Sequence, residues 1–330
     1  MSKYHIYGLG AALVDTEIDV TDDDLANMGI DKGLMTLVDR SRQEEIMQNL
    51  EGHLVHSKQA SGGSACNSII AASYFGASTF YSCKVADDAL GEFYMNDLRA
   101  AGVDADYSQK SAEGLTGTCL VMITPDAERS MNTYLGISET LSTAELNETA
   151  LAEAEYLYME GYLVTSPTGR AAAIRAREVA EQHGVKTALS FSDPGMVEFF
   201  RDGLQEMLGQ GVDMVFCNEE EALGWAQTRS LDEAIAALKQ VAKTFAITLG
   251  AKGALVFDGS ELIEVAPRQV KAVDTNGAGD MFAGAFLYAI TSGKSFAEAG
   301  RLASVSAAEV VSHYGPRLPA AKHGELLASL

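Results

Sequence analysis

From Glu155 onward, short apolar runs alternate with longer stretches in which apolar residues recur at helical spacing. This alternation is typical of βαβ units, which build a parallel sheet covered by helices on both faces. Ligands of such sheets bind beyond the carboxyl ends of the strands. The pattern predicts strands at 156–163, 186–194, 213–218 and 245–250, and helices at 168–184, 196–208 and 231–243.

The first third of the chain has a different, β-like pattern. The pattern predicts that residues 6–15 form a strand that runs on into 16–20, and residues 33–39 and 116–136 also alternate in a β-like way. These segments predict a small sheet above the main one, where it would act as a lid. Because no linker or repeat divides residues 1–330, we expect one domain. Its β lid would be built from about residues 14–39 and 115–137.

Composition and charge narrow the classes of partner. The 330 residues are 47% hydrophobic, so a substantial core is expected. With 24 basic and 46 acidic side chains the net charge is −22, which disfavours nucleic acid and anionic membranes as partners. The four cysteines show no CxxC pair, and the N-terminus lacks the features of a signal peptide. We therefore expect a cytoplasmic protein.

Two glycine-containing segments invite a nucleotide reading and are set aside. The segment GLGAAL at 8–13 has Leu13 where a dinucleotide-binding fold needs Gly or Ala, and β-like sequence follows it. The segment GKS at 293–295 has Tyr288 where a P-loop needs its first glycine, and no strand leads into it. A dehydrogenase is therefore disfavoured, and GKS is interpreted as a helix-ending turn.

A third glycine-rich segment, residues 273–286, carries candidate chemistry. Strand-like residues 268–273 lead to Gly277-Ala278-Gly279, then to Asp280 and a helix. Unpaired N–H groups at a helix start bind anions, and small residues let an anion approach them. A carboxylate beside such an anion site could take a proton from an attacking hydroxyl. The alternative is that Asp280 only caps the helix.

Several motifs together resemble one kinase family. DTNGAGDMFAGAF (274–286) resembles the C-terminal signature of the ribokinase-like, or PfkB, family of sugar and nucleoside kinases, and SGGSACNSIIAASYFGA (61–77) resembles its N-terminal signature. NEEE at 218–221 is similar to its N-x-x-E motif, and TLGAKGA at 248–254 to its nucleotide-loop segment. HYGPRL at 313–318 is closer to the adenosine-kinase branch. The resemblance implies a ribokinase-like three-layer α/β/α fold with a mostly parallel central sheet and a small β-sheet lid.

The resemblance also implies the catalytic and nucleotide-binding roles. Asp280 would be the base that deprotonates the acceptor hydroxyl, and the amides of Gly277, Ala278 and Gly279 would hold the γ-phosphate of ATP. Asn218 and Glu221 would organise Mg²⁺ largely through water, although a helix cap is the alternative for this pair. A monovalent cation such as K⁺ is a further cofactor that the resemblance allows. The predicted nucleotide-binding residues are Thr248, Gly250, Lys252, Gly253 and Asn276.

The acceptor site is assigned in the same way. Asp15 follows the first strand and would accept hydrogen bonds from vicinal hydroxyls, unless it is simply a solvated acid. Arg129 could reach the phosphates, or could pair with Asp126 or Glu128. The remaining predicted contacts are the sugar-binding Gly62, Gly63 and Asn67, and the apolar residues Met35, Leu37, Cys119 and Val121, for which packing of the small sheet is the alternative.

One position departs from the adenosine-kinase pattern. Ala11 stands four residues before Asp15, where adenosine kinases commonly have asparagine. The apolar lid residues still favour a ribonucleoside as acceptor. A sugar such as ribose or a ketohexose is the second candidate, and a sensor that binds nucleosides without catalysis is the third. Because lid sheets have exposed edges, a homodimer through the lid is a further hypothesis.

Overall fold

The strands and their order define two sheets. The computed structural model describes residues 2–53, 55–109, 111 and 113–329, apart from the side chains of residues 55–59. Within these residues the strands are β1 (Tyr4–Leu9), β2 (Leu13–Asp19), β3 (Met35–Leu37), β4 (Val55–Gly62), β5 (Thr79–Ser82), β6 (Gly117–Ile123), β7 (Arg129–Tyr134), β8 (Ala154–Glu160), β9 (Lys186–Ser190), β10 (Val212–Asn218), β11 (Ala242–Thr248), β12 (Ala254–Phe257) and β13 (Leu262–Val265).

The helices follow the strands in the alternation that the sequence pattern predicts. In the same described residues they are α1 (Asp22–Met28), α2 (Arg40–Asn49), α3 (Ser64–Phe75), α4 (Ala89–Ala100), α5 (Glu148–Ala152), α6 (Pro167–His183), α7 (Pro194–Phe199), α8 (Arg201–Leu208), α9 (Glu219–Ala226), α10 (Leu231–Leu238), α11 (Ala278–Thr291), α12 (Phe296–Val310) and α13 (Ala320–Ala328).

The large sheet has eight strands in the order β13-β12-β11-β10-β9-β8-β1-β5. Strands β5, β1, β8, β9, β10 and β11 pair in parallel, whereas β12 and β13 are antiparallel and form one edge. The prediction of a mostly parallel central sheet is therefore confirmed. The carboxyl ends of the parallel strands meet at one edge, where ligands of such sheets bind.

Helices cover both faces of the large sheet and bury two separate cores. Along β8, Tyr156 and Tyr158 contribute to the core beneath α3, α4, α11, α12 and α13, and Leu157 and Met159 contribute to the core beneath α5 to α10. This division follows from strand geometry, since successive side chains point to opposite faces. The molecule therefore has the three-layer α/β/α arrangement that the sequence predicts.

The small sheet has five strands in the order β3-β7-β6-β2-β4. Strand β2 pairs in parallel with β6 and antiparallel with β4. Residues 6–20, predicted as one continuous strand, are two strands in different sheets. The chain leaves the large sheet after Leu9 and enters the small sheet at Leu13, so that residues 10–12 cross between them. The sequence pattern predicts no strand at Val55–Gly62, which forms an edge of this sheet.

Three other predicted elements differ from the structure. The helix predicted at 196–208 is two helices, because the backbone of Phe200 leaves helical geometry with φ −124° and ψ 23°. The helix predicted at 231–243 ends at Leu238, and Ala242 already belongs to β11. Residues 268–273, predicted to be strand-like, form no strand. The turn interpretation of 293–295 is confirmed, since α11 ends at Thr291 and Ser295 caps α12.

Across the residues that the structure describes, no helix is both long enough and apolar enough to cross a bilayer.

Candidate active site

A cavity of about 480 Å³ lies between the two sheets, at the carboxyl ends of the parallel strands. Its floor includes Glu160, Ser190, Asn218 and Thr248, which end β8, β9, β10 and β11. Its opposite wall comes from the small sheet. The wall residues are Leu13, Asp15, Met35, Leu37, Cys119, Met131 and Thr133.

Asp280 enters the cavity from the first turn of α11, and it does not cap this helix. The N-terminal cap is Gly277, in the left-handed region at φ 74°, with no side-chain hydrogen bond to the cap. The Asp280 carboxylate instead accepts hydrogen bonds across the helix pair, at 2.6 Å from the Ser64 hydroxyl and 3.0 Å from Asn67 Nδ2. The alternative that Asp280 only caps α11 is therefore wrong.

The surroundings of Asp280 favour proton uptake. Burial raises the pKa of the Asp280 carboxyl, against the opposing effect of the Ser64 and Asn67 hydrogen bonds and of the Arg129 charge. A carboxylate with a raised pKa is a better general base at neutral pH than an ordinary surface aspartate. The arrangement can therefore accept a proton from a group bound in the cavity.

The start of α11 also offers unpaired donors to an anion. Among the described residues, the backbone N–H groups of Gly279 and Asp280 have no hydrogen-bond acceptor. A Cβ atom on Gly279 would meet no atom within 4 Å, so the space in front of these groups is open. Asn276 is buried and lines the same cavity, and its Nδ2 has no partner in the described structure. Such donors at a helix start suit a phosphate.

Asp15 lies in the small sheet, on the wall facing Asp280. It is 5% exposed, and burial, together with the Glu17 charge, raises the pKa of its carboxyl to about 8, against the effect of the Arg317 charge. The solvated-acid alternative for Asp15 therefore does not describe it. Gly62 packs behind this carboxylate, because a Cβ there would lie 2.1 Å from Asp15 Oδ2. Gly62 itself does not line the cavity.

Glu160 ends β8 and fixes two segments at the cavity. Its Oε1 accepts the Ala11 N–H and its Oε2 accepts the Ala65 N–H, both at 2.8 Å. These bonds hold the crossing between the sheets and the start of α3 in place. Burial raises the pKa of the Glu160 carboxyl to about 7, although the two backbone hydrogen bonds lower it.

Asn218 and Glu221 form a capping box at the start of α9 and both line the cavity. Asn218 Nδ2 donates to Glu221 Oε1 at 2.7 Å, and the Asn218 N–H donates to Oε2 at 3.0 Å. Burial, together with the nearby Asp193 charge, raises the pKa of the Glu221 carboxyl to about 8. The pair thus acts as a cap and also presents a buried carboxylate that a cation would stabilise.

Arg129 lines the cavity and does not form the predicted surface pairs. No ion pair joins it to Asp126 or Glu128, and Asp126 pairs with Lys32 at 2.7 Å. Its Nε is buried without a hydrogen-bond partner among the described residues, and its charge lowers the pKa of Asp280, Glu221 and Asp193. An unpaired guanidinium in a cavity suits an anionic ligand.

Three predicted site residues do not line the cavity. Lys252 is exposed and pairs with Glu219 at 2.8 Å. Val121 packs in a small cluster of apolar side chains on one face of the small sheet. Gly62 is the third. The other predicted residues all line the cavity; besides Asp15, Arg129, Asn218, Glu221, Asn276, Gly279 and Asp280, they are Gly63, Asn67, Met35, Leu37, Cys119, Thr248, Gly250, Gly253, Gly277 and Ala278.

Sequence reasoning missed four residues that shape the site. Ser64 lies inside the segment that was recognised, and Glu160 had a detectable signal, an acid directly after an apolar strand. Asp274 and Arg317 also lie inside recognised motifs, DTNGAGDMFAGAF and HYGPRL, but the sequence assigned them no role because their partners come from distant parts of the chain. Asp274 is fully buried, and its carboxylate accepts the N–H groups of Asn276 and Gly315 at 2.8 and 2.9 Å.

Comparison with known proteins establishes the class. Residues 30–323 match the model of the pfkB family of carbohydrate kinases, so the chain belongs to this family. It is therefore a phosphotransferase whose acceptor is an alcohol, and membership implies ATP as the phosphoryl donor.

The names of similar proteins point to two kinds of acceptor. An adenosine kinase from Schizophyllum commune is 31% identical, with 94% of this chain and 96% of the relative covered. A ribokinase from Haemophilus influenzae is 27% identical, with 78% and 82% covered. The solved structure of adenosine kinase from Sinorhizobium meliloti is 34% identical, covers 99% of this chain and 100% of its own, and superposes with a TM-score of 0.93. The chain is thus a nucleoside or sugar kinase with a ribokinase-like fold.

Proposed function

We propose that the protein transfers the γ-phosphate of ATP to a CH₂OH hydroxyl of a ribonucleoside similar to adenosine. One observation carries this proposal. The Asp280 carboxylate and the unpaired N–H groups of Gly279 and Asp280 meet at one end of a cavity, and the Asp15 carboxylate lies on its facing wall. A base, an anion site and an acceptor for hydroxyls are the groups that this reaction needs.

The reaction can be written on this chain's residues. The acceptor oxygen forms a bond to the γ-phosphorus while the bond from that phosphorus to the bridging oxygen of ADP breaks, and its electron pair leaves with ADP. Asp280 takes the hydroxyl proton. The N–H groups at the start of α11, with Asn276 and Arg129, would offset the negative charge of the transferring group. Closure of the small sheet over the cavity would exclude water and protect ATP from hydrolysis.

A magnesium ion fits the acidic end of the cavity. Glu221 is 4% exposed and burial raises the pKa of its carboxyl, so a cation held beside it would favour its ionised form. Among the described residues no group of three or more His, Cys, Asp or Glu could hold a metal. This fits Mg²⁺, which keeps several waters and binds through few carboxylates together with substrate phosphates. The ion would neutralise phosphate charge, with Glu221 and Asn218 holding it through water.

The wall facing Asp280 favours a nucleoside as acceptor. Met35, Leu37, Cys119 and Met131 present apolar surface beside Asp15. Asp15 can accept hydrogen bonds from two vicinal hydroxyls, and the apolar surface suits a flat base. A sugar such as ribose is the second candidate, because Ala11 lines the cavity without the side-chain amide that adenosine kinases commonly have there.

The test is production of ADP from ATP and Mg²⁺ with a panel of acceptors. The panel contains adenosine, inosine, guanosine, cytidine, ribose, fructose and tagatose. We expect the highest kcat/KM with adenosine or inosine. Turnover of sugars alone would reject the nucleoside assignment. Ligand binding without turnover of any acceptor would instead support a non-catalytic sensor.

The role of Asp280 is tested by Asp280→Asn. We expect the variant to fold normally and to lose about 10²-fold to 10⁴-fold in kcat, because the amide cannot accept the hydroxyl proton. Asp232→Asn is the matched control, since Asp232 is also an acid in the first turn of a helix but is exposed. Near-normal turnover of Asp280→Asn would leave Asp280 without a catalytic role.

A further inference from the structure

We propose that Arg317 is a positioning residue for the acceptor, which acts on Asp15 by its charge and through Asp97 and the end of β4. This inference rests on the proposed function in one respect, namely that Asp15 binds the acceptor's hydroxyls. Arg317 lies outside the cavity, in the segment between α12 and α13. It would therefore contribute to substrate binding without touching the substrate.

The first step is an ion pair between distant parts of the chain. Arg317 Nη2 lies 2.9 Å from Asp97 Oδ2 on α4, and the two side chains are 16% and 29% exposed. The hydroxyl of Ser61 donates to the same Asp97 oxygen. Because the arginine side chain is largely shielded from solvent, its charge acts at higher strength than a surface charge would. Arg317 and Asp97 thus anchor Ser61 near the end of β4.

The second step leads from Ser61 to Asp15. In the antiparallel pair of β4 with β2, Ser61 lies opposite Val14 and Gly62 lies opposite Leu13. The Asp15 carboxylate fills the space that a Gly62 side chain would occupy, since a Cβ would lie 2.1 Å from Asp15 Oδ2. Any displacement of this end of β4 would therefore move the surface against which the carboxylate packs.

The third step is electrostatic. Several titratable groups on the described elements around Asp15 have electrostatic interactions with its carboxyl. Glu17 on β2 and Asp280 on α11 raise the pKa of Asp15, and the Arg317 charge lowers it. Cys119 on β6 and Cys66 on α3 are buried thiols whose pKa Asp15 raises. Arg317 is thus the positive charge that favours the ionised, hydrogen-bond-accepting form of Asp15.

The segment that carries Arg317 is itself fixed to the phosphate end of the cavity. The Gly315 N–H donates to Asp274 Oδ2 at 2.9 Å. Pro316 packs on Gly277, because a Cβ on Gly277 would lie 2.4 Å from the Pro316 carbonyl oxygen. Residues 315–317 therefore contact the anion-binding start of α11. Through the ion pair of Arg317 with Asp97 they also reach Ser61, at the end of β4 against which Asp15 packs. Arg317 therefore has a fixed position relative to the phosphate end of the cavity and to the wall that carries Asp15.

The kinetic test compares Arg317→Met with Arg317→Lys, using the acceptor that the wild-type enzyme turns over best. At pH 7 we expect Arg317→Met to raise the acceptor KM about tenfold, because loss of the charge raises the pKa of Asp15 and leaves less of its carboxyl ionised. The KM for ATP should change less than about twofold. The increase in acceptor KM should shrink as the pH rises to 9, where Asp15 ionises in both proteins. Lysine, which keeps the charge, should restore most of the affinity.

Two further variants test whether the change in acceptor KM comes only from a general loss of structure. Arg317→Met combined with Asp97→Asn leaves no unpaired charge behind and should keep the raised, pH-dependent acceptor KM. Arg99→Met removes an exposed arginine from the same helix as Asp97 and should behave as wild type. The proposal is overturned if Arg317→Met keeps a normal acceptor KM, if its defect is equal at pH 6 and pH 9, or if the double variant is normal.

A measurement without substrate separates this inference from the proposed function. The carboxyl ¹³C resonance of Asp15, assigned by its loss in Asp15→Asn, is titrated in the wild-type protein, in Arg317→Met and in the double variant of Arg317→Met with Asp97→Asn. We expect a higher titration midpoint without Arg317, and an unchanged midpoint would refute its action on Asp15. Absence of turnover with every acceptor would refute the proposed function alone. If Arg317→Met does not fold, the kinetic test and the titration are made with Arg317→Lys and with the double variant.

Discussion

At the scale of single residues, Asp15 shows how burial prepares a side chain for binding. A carboxylate that is 5% exposed has lost most of its hydration, so hydroxyl donors from a ligand replace lost water. At pH 9, where Asp15 is ionised, we predict that Asp15→Asn raises the acceptor KM about 10²-fold, because two hydrogen bonds to a charged acceptor are replaced by weaker bonds to a neutral amide, and that it lowers kcat much less. Initial rates at varied acceptor concentration measure both constants.

The pH dependence of acceptor binding provides the control. Since the pKa of Asp15 is raised to about 8, the wild-type acceptor affinity should increase as the pH rises from 6 to 8. Asp15→Asn should abolish most of this increase, whereas Asp23→Asn, an exposed acid on α1, should preserve it. A variant that keeps both the affinity and its pH dependence would show that Asp15 does not bind the acceptor.

At the scale of elements, the close contact of α3 with α11 holds the base in place. The Asp280 carboxylate on α11 is held by Ser64 and Asn67 on α3. Gly284 permits this approach, because a Cβ there would lie 2.3 Å from the Ser68 carbonyl oxygen. We predict that Gly284→Ala pushes the helices apart, lowering the free energy of unfolding by about 1–3 kcal/mol and also lowering kcat. Chemical denaturation and steady-state kinetics measure these effects.

Gly324→Ala is the matched control for this helix pair. Gly324 lies in α13, where an added Cβ would meet no atom within 4 Å. Alanine there should leave kcat unchanged and stabilise the protein slightly, by up to about 1 kcal/mol, because alanine favours the helix. If Gly284→Ala is as harmless as Gly324→Ala, the α3–α11 contact does not set the position of Asp280.

At the scale of the whole molecule, the elements that sequence predicts well are those with strong periodicity. Strand β10 and helix α6 lie within a few residues of their predicted positions because each buries a regular apolar face. Strand β4 was missed, since VHSKQASG has neither the apolar content nor the alternation of a buried strand. The pairing of β4 with β2 depends on tertiary contacts. Residues 268–273 are the opposite case, because they have a strand-like pattern but no partner strand.

The site was predictable where its residues lie in contiguous motifs. Asp280, Asn67 and Asn218 lie in signature segments, and the structure brings them to one cavity. Lys252 lies in such a segment too, but its side chain pairs with Glu219 outside the cavity. Arg317 lies in the recognised HYGPRL segment, but its role could not be found from spacing, because its partner Asp97 is 220 residues away in the chain. Contacts of this kind follow from the fold and not from local sequence.

The buried acids in and near the cavity make the stability of the fold depend on pH. Burial raises the pKa of Asp15 and Glu221 to about 8 and of Glu17 and Glu160 to about 7. The folded state therefore holds more protons than the unfolded chain between about pH 4 and these values, and raising the pH removes them. Each such group lowers the free energy of unfolding by up to about 1.4 kcal/mol per pH unit in this window. We predict that the ligand-free protein loses stability from pH 5 to pH 8.

Glu17→Gln tests this prediction at one group. Glu17 is 1% exposed, lies near Asp274, and its Oε1 has no partner among the described residues. A neutral amide has no ionisation to suppress, so the variant should gain stability relative to wild type as the pH rises from 5 to 7. Urea unfolding at four pH values measures the slope, with exposed Glu261→Gln as control. Equal slopes for Glu17→Gln and wild type would show that Glu17 ionises in the folded protein as readily as in the unfolded chain.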